Sequence, residues 1–187
     1  MRAIDYFDRG VEIDPERIAI QEGETRISFV ELQKLTFQVA SALRANGVQR
    51  QEPVAIYAPN HWSVLVCLLG MWRAAQKWIP VNARNSLDAN IQYMNYVRCG
   101  WLFYHSQYTK EAAELKAKVP SIRGLICVDR ADDGHPSLEH FLKEGDAPFA
   151  EDADPFGNLE DVVGIFPTGG TTGPAKGVNV TNLGWGI

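Results

Sequence analysis

The chain has 187 residues, an apolar fraction of 45% and a formal net charge of −5, with a pI near 5.4. That length suits one large domain or two small ones with an ordinary globular core. The acidic balance leaves no electrostatic footprint for nucleic acid, so a bound nucleotide has to be held locally. Cys67, Cys99 and Cys127 fit neither a zinc pattern nor a disulfide framework. Each lies in an apolar run, which predicts buried free thiols and a reducing, cytoplasmic setting. His61, His105, His135 and His140 are scattered, and no residue is assigned as a metal ligand. Charges at Met1–Asp8 stand where a signal peptide needs an apolar core. The most apolar stretch, Trp62–Trp72, has 11 residues, against ~20 for a bilayer span.

In chain order, Ile4–Ile13 predicts a short helix. Arg17–Gln21 and Thr25–Ser28 flank Glu22-Gly23-Glu24 and predict a hairpin. Ser28 and Glu31 have capping-box spacing. Leu32, Leu35, Val39 and Leu43 then recur at helical spacing until Gly47. From there the pattern alternates. Strands are expected at Val54–Tyr57, Trp78–Val81, Trp101–Tyr104 and Gly124–Val128. Between and after them come a helix capped by Asn60 and running to about Ala75, a helix capped by Ser86 and ended by Gly100, a helix over Glu111–Val119 stopped by Pro120, and a short helix over Ser137–Lys143. Strand–helix alternation predicts an α/β fold with a mostly parallel sheet flanked by helices on both faces.

Seven carboxylates and no Lys or Arg lie between Glu144 and Asp161, interrupted by Pro148 and Pro155. A solvated linker is the expected reading, with a metal site as the alternative. The expected organisation is therefore an α/β subdomain over 1–143, an acidic linker over 144–160, and a strand, loop and incomplete next unit over 161–187. Asp161–Phe166 predicts an apolar interior strand, Gly177–Val180 another, and Thr181 a cap for a helix beginning at Asn182.

Between those last two strands the chain reads Thr168-Gly-Gly-Thr-Thr-Gly-Pro-Ala-Lys-Gly177. Glycine lets backbone approach an anion, and successive N–H groups form an anion-binding concavity. Threonine hydroxyls add donors, and Lys176 adds a mobile point charge. These residue types predict a polyphosphate cradle at the carboxyl end of a strand, where α/β folds bind ligands, with an ordinary surface loop as the alternative. It is not the common P-loop, because Lys176 follows Ala175 and precedes Gly177. The glycine spacing also fails the dinucleotide fingerprint.

Thr168–Val178 resembles the phosphate loop of the adenylate-forming, AMP-binding superfamily. Thr25–Leu32, Glu52–Asn60 and Trp72–Arg84 resemble other segments of it, so the resemblance runs from about Asp5 to Leu183. The Gly-Gly loop is most similar to fatty-acyl and aryl-CoA synthetases. Three positions depart from the usual pattern: Ala175 stands for a Pro, Ala75 for a Gly, and Asn182 near a frequent His. The resemblance implies the N-terminal portion of an acyl-CoA synthetase-like fold, cut short of the later motifs. It also implies ATP, Mg²⁺ and coenzyme A as reactants or cofactors and a carboxylic acid, a fatty acid first, as substrate. By motif position Thr168, Thr171 and Thr172 donate hydroxyls to the β/γ-phosphates. Gly169, Gly170 and Gly173 give backbone donors and room, Lys176 neutralises charge, and Gly177 permits the exit turn. The 187 residues alone are expected to be inactive, and exposed edge and apolar surface at Leu183, Trp185 and Ile187 to favour self-association as a homodimer or larger. The alternatives are a non-catalytic nucleotide- or anion-binding module complete at 187 residues, and a vestigial interaction domain.

Overall fold

The computed structural model describes residues 1–132, 134–145, 158–168 and 176–186. Helix α1 (Ala3–Ile13) leads to the hairpin of β1 (Ile18–Glu22) and β2 (Thr25–Ser28). Glu22 pairs with Thr25, so the turn has two residues, and Gly23 at its first position has φ +57. Such a turn needs that left-handed backbone. Ser28 opens α2 (Phe29–Ala45) with the expected capping box: its amide donates to Glu31 Oε2 at 2.8 Å, and the Glu31 amide donates to Ser28 Oγ at 3.4 Å.

A six-stranded sheet follows, in the order β6-β5-β3-β4-β7-β8. Strands β3 (Pro53–Tyr57), β4 (Lys77–Pro80), β5 (Trp101–Tyr104), β6 (Gly124–Cys127) and β7 (Val162–Pro167) run parallel. Strand β8 (Gly177–Thr181) closes one edge antiparallel to β7. Helices α3 (Trp62–Arg73), α4 (Leu87–Tyr96), α5 (Thr109–Lys118) and α6 (Leu138–Lys143) fill the crossovers.

The period-two pleat sorts the strand residues into two cores. Val54, Ile56, Trp101, Phe103 and Ile126 face Val39 and Leu43 of α2, Val66 of α3 and Phe141 of α6. Ala55, Tyr57, Leu102, Tyr104 and Leu125 face Met94 of α4 and Leu115 of α5. Strands buried on both faces read as continuous apolar runs for this reason. The helices on both faces match the sequence expectation, as do three buried free cysteines.

Several local expectations shift. His61, not Asn60, caps α3, with its Nδ1 accepting the Ser63 amide at 3.4 Å. Helix α3 ends at Arg73, and Ala75 takes φ +55. Helix α4 stops at Tyr96, and Arg98 rather than Gly100 supplies the left-handed residue, at φ +53. Gly100 instead lies under the Glu52 side chain: a Cβ there would fall 1.9 Å from Glu52 Oε1 and displace that carboxylate. Thr181 caps α7 (Asn182–Trp185) as expected, accepting the Gly184 amide at 3.1 Å. The sheet runs across the boundary expected at 144–160, of which 146–157 lie outside the described residues. Leu183 and Trp185 are exposed, and Ile187 lies outside the described residues. Among the described residues no helix is long and apolar enough to cross a membrane.

Candidate functional site

Strand β7 delivers the glycine-rich loop to the carboxyl edge of the parallel strands, and β8 takes it away. Pro167 pairs with Gly177 across the hairpin. One step further out, the Thr168 amide donates to the Lys176 carbonyl at 2.8 Å, and the Lys176 amide donates to Thr168 Oγ1 at 3.2 Å. Thr168 and Lys176 therefore close a neck at the end of the β7–β8 hairpin. Thr168 Oγ1 accepts one bond and keeps its own proton for another acceptor. Both residues are exposed. Among the described residues no carboxylate forms an ion pair with Lys176. Gly169, Gly170, Thr171, Thr172 and Gly173, assigned to the site from the sequence, lie outside the described residues.

Gly177 serves the neck differently from the expected exit turn. It sits inside β8, and a Cβ there would come 2.5 Å from Ile165 Cγ2. Glycine is required by the close approach of the two strands, not by a left-handed backbone.

The strand under the neck is moored by side chains that are distant in sequence. Its ladder to β4 has a single register pair, Trp78 with Gly164. Trp72 Nε1 donates to the Val163 carbonyl at 2.9 Å, and Tyr93 Oη donates to the Ile165 carbonyl at 2.9 Å. Burial pushes the Tyr93 phenol up to about 12, with Tyr96 adding to the shift, so it stays a donor at any ordinary pH. Phe166 packs edge-on to Trp78 at 5.4 Å and stacks with Trp185 at 6.2 Å. Sequence reading missed Trp72 and Tyr93 because nothing local marks a residue whose partner is some 70 to 90 positions away.

The histidines nearest the same end of the sheet do structural work. His61 caps α3, and His105 caps a single 3-10 turn while its Nε2 stands 3.6 Å from Asp129. The Ser106 hydroxyl and amide hold the Asp129 carboxyl below its ordinary value against the opposing effect of burial. Among the described residues no group of three His, Cys, Asp or Glu could hold a metal ion.

The family model for AMP-binding enzymes matches residues 7–185. The chain belongs to the AMP-binding enzyme family. Its relatives in that family include CoA ligases. The 7a-methyl-1,5-dioxo-octahydro-1H-inden-4-yl-propanoyl:CoA ligase of Mycobacterium tuberculosis is 31% identical over 180 residues, which are 92% of this chain and 35% of that protein. A feruloyl-CoA synthase of Amycolatopsis is 28% identical over 183 residues, 95% of this chain and 33% of that one. Among solved structures, the anthranilate CoA ligase AuaEII in complex with anthranoyl-AMP superimposes with a TM-score of 0.88 at 17% identity. That superposition covers 97% of this chain and 35% of the ligase, and establishes the fold. The chain spans about a third of the length of the curated relatives it matches. This AMP-binding enzyme chain therefore carries the β7–β8 hairpin within a fold shared with that CoA ligase.

Proposed function

We propose that the natural polypeptide carrying these residues is an ATP-dependent acid–CoA ligase. It joins a carboxylic acid, with fatty acids first and aryl acids second, to coenzyme A through an acyl-adenylate. The observation that carries this reading is the Thr168–Lys176 neck at the carboxyl edge of the sheet, between whose two residues the sequence is rich in Gly and Thr, in an AMP-binding enzyme chain. In the first half-reaction a carboxylate oxygen of the acid bonds to the α-phosphorus of ATP, and the bond to pyrophosphate breaks. In the second, the CoA thiol gives up its proton to solvent, its sulfur bonds to the acyl carbon, and AMP leaves with the electron pair of the broken C–O bond.

The first step gathers negative charge on the departing pyrophosphate, and preorganised donors stabilise such charge best. Thr168, Thr171 and Thr172 supply hydroxyls, and Gly169, Gly170 and Gly173 supply backbone amides. Lys176 supplies a positive charge, and Gly177 keeps the hairpin tight enough to present them. Mg²⁺ would neutralise the polyphosphate, and its protein ligand is not assigned to any described residue. Taken alone, residues 1–187 are proposed to bind phosphate groups weakly and to form no adenylate, because they correspond to a third of a ligase's length.

The test is acid-dependent ATP–pyrophosphate exchange by the natural-length polypeptide, against a panel of fatty and aryl acids. Exchange with at least one acid, followed by CoA thioester formation, is the expected result. ATP binding with no exchange for any acid would replace the ligase with the binding-module reading.

A further inference from the structure

Arg50 and Gln51 lie in the turn between α2 and β3, far in sequence from the phosphate-loop hairpin, yet both reach its foot. Gln51 takes φ +59 without being glycine, and Ala75, at φ +55, faces it. Strained backbone of this kind persists only where the surroundings over-determine it. The Gln51 amide N–H donates to the Ala75 carbonyl at 2.8 Å. Its side chain does more. Gln51 Nε2 donates to the Ala75 carbonyl at 3.0 Å and to the Val162 carbonyl at 3.2 Å, while Oε1 accepts the Val162 amide at 3.0 Å. One primary amide thus gives Val162 a donor and an acceptor together, as a neighbouring strand's backbone would. Beside it the Arg50 guanidinium forms an ion pair with Asp161, which is 8% exposed.

Val162 is the first residue of β7, and β4 does not reach it: the β4–β7 ladder has one register pair, two residues further on. A ladder that short specifies register weakly, and a slip of one residue would turn every β7 side chain to the other face. We propose that Gln51 is a positioning residue, whose side-chain amide acts as a surrogate strand and pins the register of β7. It thereby sets where the Thr168–Lys176 neck emerges. The claim that this matters for ATP rests on the function proposed above, whereas the pin itself does not.

The test uses the natural-length polypeptide and two variants. Gln51→Gly removes the amide but also releases the left-handed strain, so wholesale unfolding is not its automatic outcome. Gln51→Glu keeps the side-chain length and an acceptor while losing both N–H donors. Hydrogen exchange is measured over residues 162–168 and 176–181, with β3 and β5 as internal references. ATP–pyrophosphate exchange gives KM for ATP and for the acid. Both variants are expected to speed amide exchange at Val162 and Thr168 by about tenfold, with the reference strands unchanged. KM for ATP is expected to rise by about fivefold or more while KM for the acid stays within about twofold. Unchanged exchange at Val162 and Thr168 would overturn the pin, and faster exchange with an unaltered KM for ATP would overturn its role in placing the neck for ATP. If the unaltered polypeptide shows no ATP-dependent exchange at all, the ligase reading fails, and the hydrogen-exchange result alone decides the role of Gln51.

Discussion

Removing the Asp8 carboxylate should cost the fold much of its stability, because it strands a buried charge. Arg73, on α3, is 5% exposed at its side chain. Its Nη1 and Nη2 donate to the two oxygens of Asp8 on α1 at 3.0 and 2.5 Å, a bidentate pair. Its Nε donates to Thr36 Oγ1 on α2 at 2.9 Å, and its guanidinium carbon lies 4.0 Å from the Phe37 ring centroid. Gln33 Nε2 adds a further bond to Asp8 at 2.9 Å. One guanidinium thus ties three helices together behind β3.

Breaking a buried pair by deleting one partner typically costs about 3–5 kcal/mol. The Asp8 side chain is 26% exposed, so water can reach that side of Arg73, and about 2–3 kcal/mol is the expected loss for Asp8→Ala. For a chain of 187 residues this corresponds to a fall of roughly 5–8 °C in the thermal midpoint. Replacing both partners with apolar residues, Asp8→Leu with Arg73→Met, removes the stranded charge. It should recover most of that loss, since buried pairs are often no more stable than apolar replacements. Chemical denaturation of the unaltered chain, Asp8→Leu, Arg73→Met and the double variant completes a double-mutant cycle that measures the coupling, with Asp8→Ala alongside. If Asp8→Ala stays within about 0.5 kcal/mol of the unaltered chain, or the double variant is no better than the single, the reasoning fails.

Three other outcomes follow from the same structure. Ser28→Ala removes the N-cap of α2 and should lower stability by about 1 kcal/mol, read from the denaturant midpoint. Because the Ser28 amide and hydroxyl hold the Glu31 carboxyl below its ordinary value, the unaltered chain carries stability that is full above the ordinary carboxylate range and lost as pH falls through the depressed value. Ser28→Ala should flatten that acid limb. The Tyr93 phenol is raised, to about 12, so its contribution is full below its ordinary value near 10 and is lost as pH rises through about 12. Denaturant midpoints between those values should fall less steeply for Tyr93→Phe than for the unaltered chain. Gly177→Ala places a Cβ 2.5 Å from the stiff Ile165 Cγ2 and should cost about 1–3 kcal/mol, seen as a lower thermal midpoint.

What the sequence made legible was local. The Ser28–Glu31 box, the Glu22-Gly23-Glu24 turn and the Gly47 stop each depend on residues within a few positions, and each is present. The runs at Val54, Trp101 and Gly124 were readable as strands because their residues are apolar on both faces, and each is present. The residue types of 168–177 point to a phosphate loop, a reading that stays a proposal; the structure gives the pairing of Thr168 with Lys176 at its two ends. Features set by distant packing were not legible. His61 displaced Asn60 as a cap because its imidazole happens to reach the Ser63 amide. Arg98 rather than Gly100 took the left-handed turn, and the Glu52 side chain lies across Gly100. The strand order, the Arg73 network and the grip of Gln51, Trp72 and Tyr93 on β7 all join segments far apart in the chain. No periodicity or motif encodes such pairings.

The most direct test of the account is equilibrium binding of MgATP to the natural-length polypeptide, compared with its Lys176→Ala variant across a range of salt. Loss of a charge-assisted contact to phosphate should weaken binding by about tenfold or more, with a shallower salt dependence, and with the fold intact by circular dichroism. Equal affinity and an equal salt slope in the two proteins would contradict the claim that the Thr168–Lys176 neck holds the nucleotide's phosphates.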